Sequence, residues 1–448
     1  MEAVAVSMES APQPALLRCA RCGIESAERS CFVIPRRFGK PPHDTRCLTC
    51  EQRRTAPSLQ RGLVAMVMTT FWPLLILTGS HGGLRGVPLS APFFAIFLWP
   101  TAIVLHELGH ATAAWLLRLE IGLVSIGYGP TLVQFRVAGM PIEIHVWPLS
   151  GRVYLGSRGT TLLRTRLWLT TLMGPMVNAG FIALTTHYWS PLAPVFGRTA
   201  LMLWLIVNAF LLVITLLPHC GNEFGRPYRS DGLALLEIPS RTPAQLAHYL
   251  TAAPLMRTLC RLQAGDYMGA KAQAQEVLAR SPNNTWGRLM LSGCLLNLDE
   301  YATAAALLTP TLDTLSSQDP AMRAAIWSNL AVAQLLANVH ETPQNPKWIQ
   351  AERLSRDAYL MYPCEIEFRS ARALILAVTG SAEDAIALLE YCHYETASAR
   401  QRSDREIVRA LAFQRLGRPA DASERAATAL RLHPGNANVL RTLGLSEV

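Results

Sequence analysis

The sequence predicts a mainly α-helical protein: a polytopic membrane core of about four spans with a short cytoplasmic β segment, a small cysteine-paired N-terminal segment, and a C-terminal α-solenoid. Three observations carry this. Hydrophobic residues make up 50% of the 448 positions and charged residues only 16%, against about 25% charged in ordinary soluble domains. Four long apolar stretches crowd into 62–218. Beyond residue 239 the chain turns Ala- and Leu-rich with helical spacing and internal recurrence. The expected parts are therefore 1–58, 59–238 and 239–448.

In the first part, Cys19-x-x-Cys22 and Cys47-x-x-Cys50 form two pairs, while the other six of ten cysteines stand alone. That is no disulfide framework. Two Cys-x-x-Cys pairs at this separation read as a four-Cys structural zinc site of ribbon type, closed and folding its small domain rather than catalysing. Cys31 and His43 lie nearby as spare donors. Residues 1–16 lack the basic-then-apolar pattern of a cleavable leader, and single cysteines fit a reducing compartment.

The apolar stretches fall at roughly 62–79, 91–118, 167–189 and 199–218. Each is long enough to cross about 30 Å of hydrocarbon as a helix. Pro73 and Pro100 are expected to kink their helices. Arginines flank these stretches unevenly. Arg53, Arg54 and Arg61 precede the first, Arg118, Arg136, Arg152, Arg158, Arg164 and Arg166 separate the second from the third, and Arg226 and Arg229 follow the fourth. The two remaining loops hold only Arg85 and Arg198. The positive-inside rule then places both termini in the cytoplasm. The net charge of +9 is scattered rather than striped, which argues against a nucleic-acid partner and suits loops facing an anionic leaflet. The arginine and alanine content suggests a bacterial cytoplasmic membrane.

Between the second and third stretches, Ile121 to Val153 alternates β-branched and small residues, punctuated by Gly127, Gly129 and Gly139. Short strands, as a hairpin on the cytoplasmic face, are expected. From residue 239, Gly265-Asp266-Tyr267 with Ala270 recurs as Asp299-Glu300-Tyr301 with Ala304, 34 residues on. Thr379-Gly380 with Ala385 parallels Leu416-Gly417 with Ala422, and Pro282 and Pro434 close helix pairs. That period is the signature of tetratricopeptide repeats.

The chemistry-bearing residues lie inside the second apolar stretch. His106-Glu107-Leu108-Gly109-His110 puts two imidazoles four residues apart, on one face of a helix. Two His at this spacing can share one zinc ion, with Glu107 beside them to take a proton from a metal-polarised water and return it to a leaving amine. An ionisable cluster at membrane depth marks a functional site, because burying it there costs ~2.5–3.5 kcal/mol per charged residue. A catalytic zinc usually takes a third protein ligand. Asp231, in the segment after the fourth stretch, is the candidate; as an Asp before the apolar run Gly232 to Ile238, it reads equally as a helix N-cap.

These residues resemble the site-2 protease family of intramembrane zinc proteases. His106-Glu107-Leu108-Gly109-His110-Ala111 is similar to its first motif, and Gly127-Tyr128-Gly129-Pro130 with Pro148-Leu149-Ser150-Gly151-Arg152-Val153 to the strands that follow. Gly174-Pro175-Met176-Val177-Asn178 resembles its Gly-Pro-x-x-Asn helix, and Asn208, Leu216-Leu217-Pro218 and Asp231-Gly232 the motif ending in a metal-binding aspartate. The resemblance spans roughly 91–235. It implies Asp231 as third ligand, with Asn178 near the substrate or developing oxyanion. The Pro218–Asp231 gap is longer than in many members and Ser230 stands where Leu is common, leaving His219 and Glu223 as minor competitors for the metal. His187 and Cys220 read as structural.

The implied activity is hydrolysis of peptide bonds in membrane-spanning substrates by a zinc metalloendopeptidase, in regulated proteolysis. Catalytic residues would be Glu107 and Asn178, metal ligands His106, His110 and Asp231 for one Zn2+, and Cys19, Cys22, Cys47 and Cys50 for a second, structural Zn2+. The repeats would recruit a substrate or protein adaptor, or gate access, since stacked helix pairs make concave binding surfaces. A competing reading is a membrane-anchored repeat scaffold with an inert core. A solute transporter would need more ionisable residues along the spans.

Overall fold

In the computed structural model, the described residues are 91–445 apart from 224–225, 342–344, 364 and 391–398. Four two-residue strands join them: β1 (Leu17–Arg18), β2 (Glu25–Ser26), β3 (Phe32–Val33) and β4 (Arg46–Cys47). The first apolar stretch and Cys19, Cys22 and Cys50, expected as ligands of a ribbon zinc, lie outside these residues. Cys47 is described only as backbone in β4, opposite Phe32. The chain divides into two compact units, 55–287 and 288–448 with 1–54.

In the first unit, the second, third and fourth apolar stretches form helices α1 (Ala91–Leu116), α2 (Leu163–His187), and, after the short α3 (Trp189–Phe196), α4 (Arg198–Leu216). Helix α1 runs through Pro100 and α2 through Pro175. Among the described residues, α2 and α4 have the length and mean hydropathy (1.4 and 2.4) to cross a membrane. Helices α1, α2 and α4 pack against one another. Trp99, Ala102 and Ile103 of α1 form a core with Val207 and Leu211 of α4. Gly109 lets α1 approach α2 so closely that a Cβ there would lie 2.9 Å from the Met173 carbonyl oxygen.

The expected short strands prove to be one long antiparallel hairpin, β5 (Glu120–Val137) and β6 (Met140–Gly156). Its turn is the two residues Ala138 and Gly139, both at positive φ (50° and 81°), the two-residue turn whose twist matches paired strands. Register shifts around Gly127 and Gly129 bend the ladder. Ile121, Val124 and Ile126 bury one face against Ala111, Ala114, Leu163 and Leu167, which seats the hairpin across the ends of α1 and α2.

After α4 the chain makes a small hairpin, β7 (Cys220–Glu223) with β8 (Arg226–Arg229), then α5 (Asp231–Glu237), α6 (Pro243–Ala247), α7 (Tyr249–Gln263) and α8 (Tyr267–Arg280). The last two, expected to open the repeat domain, pack in the same unit as α1 and the hairpin. Arg280 donates to both carboxylate oxygens of Glu120, at 2.6 and 2.9 Å. Burial raises the Glu120 carboxyl, but the Arg280 and Arg158 hydrogen bonds outweigh it and hold the group below its ordinary range.

The second unit is a layered array of helix pairs. It comprises α9 (Thr285–Asn297), α10 (Tyr301–Leu308), α11 (Pro320–Ala337), α12 (Pro346–Met361), α13 (Ile366–Thr379), α14 (Ala382–Glu390), α15 (Ala399–Arg415), α16 (Pro419–Leu432) and α17 (Ala437–Thr442). Partners pack within pairs, and α11, α13 and α15 pack in succession. One core runs through the array, with Ile326, Leu330, Ile375 and Leu389 fully buried. The recurring alanines Ala270, Ala304, Ala385 and Ala422 are each 0% exposed, because they sit where paired helices come closest. Gly265, Asp299, Gly380 and Gly417 share the positive-φ turn position before their second helix. These are tetratricopeptide-like repeats.

Candidate metal centre

Helix α1 presents His106 and His110 on one face, both buried, with their rings edge to face at 4.9 Å. Asp231, 125 residues beyond His106, joins them. His106 Nε2 lies 3.0 Å from Asp231 Oδ2 and 3.2 Å from His110 Nε2, and His110 Nε2 lies 3.5 Å from the same carboxylate oxygen. The possible ligand atoms all lie within 4.8 Å of one another.

The far side of each ring fixes its orientation. Asn178 Oδ1 accepts from His106 Nδ1 at 3.2 Å, and the Thr170 carbonyl accepts from His110 Nδ1 at 2.8 Å. With both Nδ1 atoms protonated and tied to α2, both Nε2 lone pairs face the common point. This is how protein metal sites set imidazole tautomer and direction. Asn178 is fully buried, and its Nδ2 has no hydrogen-bond partner among the described residues. The Asn178 oxygen is thus engaged with a histidine ring.

Space is left for an ion by Gly174. A Cβ there would lie 2.7 Å from His106 Nε2 and closer still to His110 Nε2, so only a glycine leaves the convergence point open on the α2 side. On the other side Gly151 of β6 presses against the catalytic candidate: a Cβ at 151 would lie 2.6 Å from Glu107 Oε1. The donor set of two imidazoles and one carboxylate, with room beside it, fits zinc.

Asp231 reaches this point because Ser230 takes the capping role. Ser230 Oγ accepts from Leu233 N (3.2 Å) and His219 N (3.0 Å) and donates to the Leu217 carbonyl (2.8 Å). Ser230 N in turn donates to the His219 carbonyl at 3.0 Å. The N-cap alternative for Asp231 therefore falls, and its carboxylate is free to turn inward. The long Pro218–Asp231 gap is the β7–β8 hairpin, looped out and closed at its base by these bonds. Gly232 packs onto the end of α4, where a Cβ would lie 3.0 Å from Leu216 Cα.

Other sequence candidates stand apart from the cluster. His219 bonds the Leu217 carbonyl and Tyr228 OH. The Glu223 side chain is outside the described residues. His187 packs against Tyr188 at the end of α2. Asn208 donates to the Trp204 carbonyl within its own helix. Missed in the sequence were the Thr170 carbonyl and Tyr249, while Gly151 and Arg152 were read only as part of the strand motif. A cavity of about 790 Å3 is lined by Glu107, His110, Arg152, Asp231 and Tyr249 among others, and one of about 240 Å3 by His106, Glu107, Leu149, Tyr228 and Asp231 among others.

Two histidines four apart on a buried helix, a carboxylate from a distant one and a glutamate beside them define a metallopeptidase-type centre. The profile of peptidase family M50 matches residues 93–347, more than half of the chain. The chain belongs to that family, the site-2 protease family of zinc metallopeptidases. No curated protein matches it. Among solved structures, a thermophilic tetratricopeptide protein of Thermus thermophilus is 18% identical, with 44% of this chain and 100% of that one covered at a TM-score of 0.34. A MamA protein is 17% identical, covering 42% and 94% at a TM-score of 0.27.

Proposed function

We propose that this chain is an intramembrane zinc metalloprotease that hydrolyses peptide bonds in membrane-spanning proteins. The observation that carries the reading is the convergence of His106, His110 and Asp231 with Glu107 alongside, packed against two apolar helices, α2 and α4, of membrane-crossing length. Zinc, when bound, supplies Lewis acidity and brings the pKa of water to about 7. Glu107 then takes the proton of the attacking water and delivers it to the amine nitrogen of the leaving strand. Asn178 and the Thr170 carbonyl hold the two rings, so Asn178 is a positioning residue in this scheme. The burial of the three groups on α1 excludes bulk water from the proton path.

The wider reading comprises a core of about four spans, both termini in the cytoplasm of a bacterial cell, and a ribbon zinc held by Cys19, Cys22, Cys47 and Cys50. In it the repeats recruit substrate or adaptor, or gate access. Two measurements on the detergent-purified full chain test the catalytic centre. Asp231→Ala is expected to contain one zinc fewer per chain than wild type. Glu107→Gln is expected to keep its zinc while losing hydrolysis of a membrane-spanning reporter by about 10²–10⁴-fold. Equal zinc in wild type and Asp231→Ala overturns the reading, as does undiminished hydrolysis by Glu107→Gln.

A further inference from the structure

The first repeat is built into the wall of the catalytic cavity. Helix α7 lies along the hairpin so closely that a Cβ at Gly122 would lie 2.9 Å from Ala253 Cα, and one at Gly156 3.1 Å from the Tyr249 carbonyl oxygen. That carbonyl also accepts from Ser157 N at 2.8 Å. Tyr249, the first residue of α7, packs on the core that contains Ala111 and Ala114, one turn beyond His110, and faces the larger cavity with Glu107, His110 and Asp231.

Its polar tip is already used. Arg241 donates to Tyr249 OH at 2.7 Å, and the same guanidinium reaches Glu237 of α5, the helix that begins at Asp231. The Arg241 carbonyl accepts from Arg164 at the start of α2. Arg241 thus anchors the phenol, and the His248 ring packs on Tyr249 at 4.0 Å between centroids; what remains for the cavity is apolar ring surface. Leu155 and Val153 line the same cavity. All three line the cavity that Glu107, His110 and Asp231 also line.

We propose that Tyr249 sets side-chain specificity: with Leu155 and Val153 it bounds the subsite for an apolar residue flanking the scissile bond. Helix α7, whose partner α8 carries the first copy of the recurring sequence pattern, thereby contributes directly to substrate selection at the metal centre. The inference rests on the proteolytic reading above. Removing the ring opens the subsite, so larger apolar side chains gain relative to smaller ones. Pocket changes of this size shift preference by about tenfold or more.

Peptide hydroxamates differing in one side chain (alanyl, leucyl or naphthylalanyl) test it by binding alone, because the hydroxamate anchors on the zinc. On the full chain, Tyr249→Ala is expected to move the naphthylalanyl-to-leucyl affinity ratio upward by about tenfold. Tyr249→Phe, which keeps the ring, should retain the wild-type order. Tyr249→Leu carries the same test should Tyr249→Ala fail to fold. Binding that depends on Asp231 but shows one side-chain order in wild type, Tyr249→Ala and Tyr249→Leu overturns the specificity role and leaves the protease reading standing. Binding equally strong in Asp231→Ala overturns the metal centre itself, and the inference with it.

Discussion

The two units bury polar groups in opposite ways. In the repeat unit they act as clips spread along the array: Arg369 donates to the Pro363 carbonyl at 3.1 Å, Ser403 to the Ala429 carbonyl at 2.8 Å, and Arg409 and Arg425 each pair with the buried Glu406 carboxylate at 3.3 Å. In the metal-site unit they converge on one point, His106 on Asn178 and Asp231, His110 on Asp231. A clip fails locally, and its neighbours in the array still pack through their own apolar contacts. A convergent centre has no spare member, since its groups must be brought together from α1, α2 and the start of α5. The lesson is that stability is distributed in one unit while chemistry is concentrated in the other, so substitutions should sort cleanly between the two readouts.

The largest effect is expected at Gly174. Gly174→Ala puts a methyl group onto both Nε2 atoms, and the Asp231-dependent zinc should be lost entirely by elemental analysis while the helical circular-dichroism signal persists. Retained zinc would mean that α2 can withdraw from α1, and that the centre is looser than the contacts imply. Next is Leu330→Ala in the repeat core. It should cost about 2–5 kcal/mol in the denaturant-induced unfolding of the helical array, with zinc content unchanged. A loss of zinc there would break the separation of the two units. The smallest is Asn178→Ala, expected to weaken zinc by about 10–100-fold, read by competition with a chelating indicator. An unchanged affinity would remove its role as the orienting partner of His106.

Much of this arrangement was legible in the chain. The His106-Glu107-x-x-His110 spacing and the recurring alanines follow from a periodicity or a residue type that chemistry selects, while Asp231-Gly232 was singled out by the resemblance to a known motif. The hairpin was legible in kind but not in extent: Gly127 and Gly129 read as strand breaks, whereas they are bends within continuous strands. Asn178 was found as a residue, but its contact with His106 was not, because an amide's partner depends on helix rotation rather than on sequence spacing. The Thr170 carbonyl could not be seen at all, since every residue carries one. Gly151 and Gly174 act by what they lack, and a close approach leaves no mark beyond the glycine itself. Tyr249 was hidden by its place at the head of a helix that reads as part of a repeat.

The closed base of the β7–β8 excursion separates distance along the chain from distance in space. Between Pro218 and Asp231 the path length is set by a ten-residue detour, yet the carboxylate's position is set by the Ser230 and His219 bonds beneath it. Lengthening such a loop costs only about 0.6 kcal/mol per doubling. The detour is thus a place where sequence can be added or removed while the third ligand stays put, a port in the chain rather than a spacer.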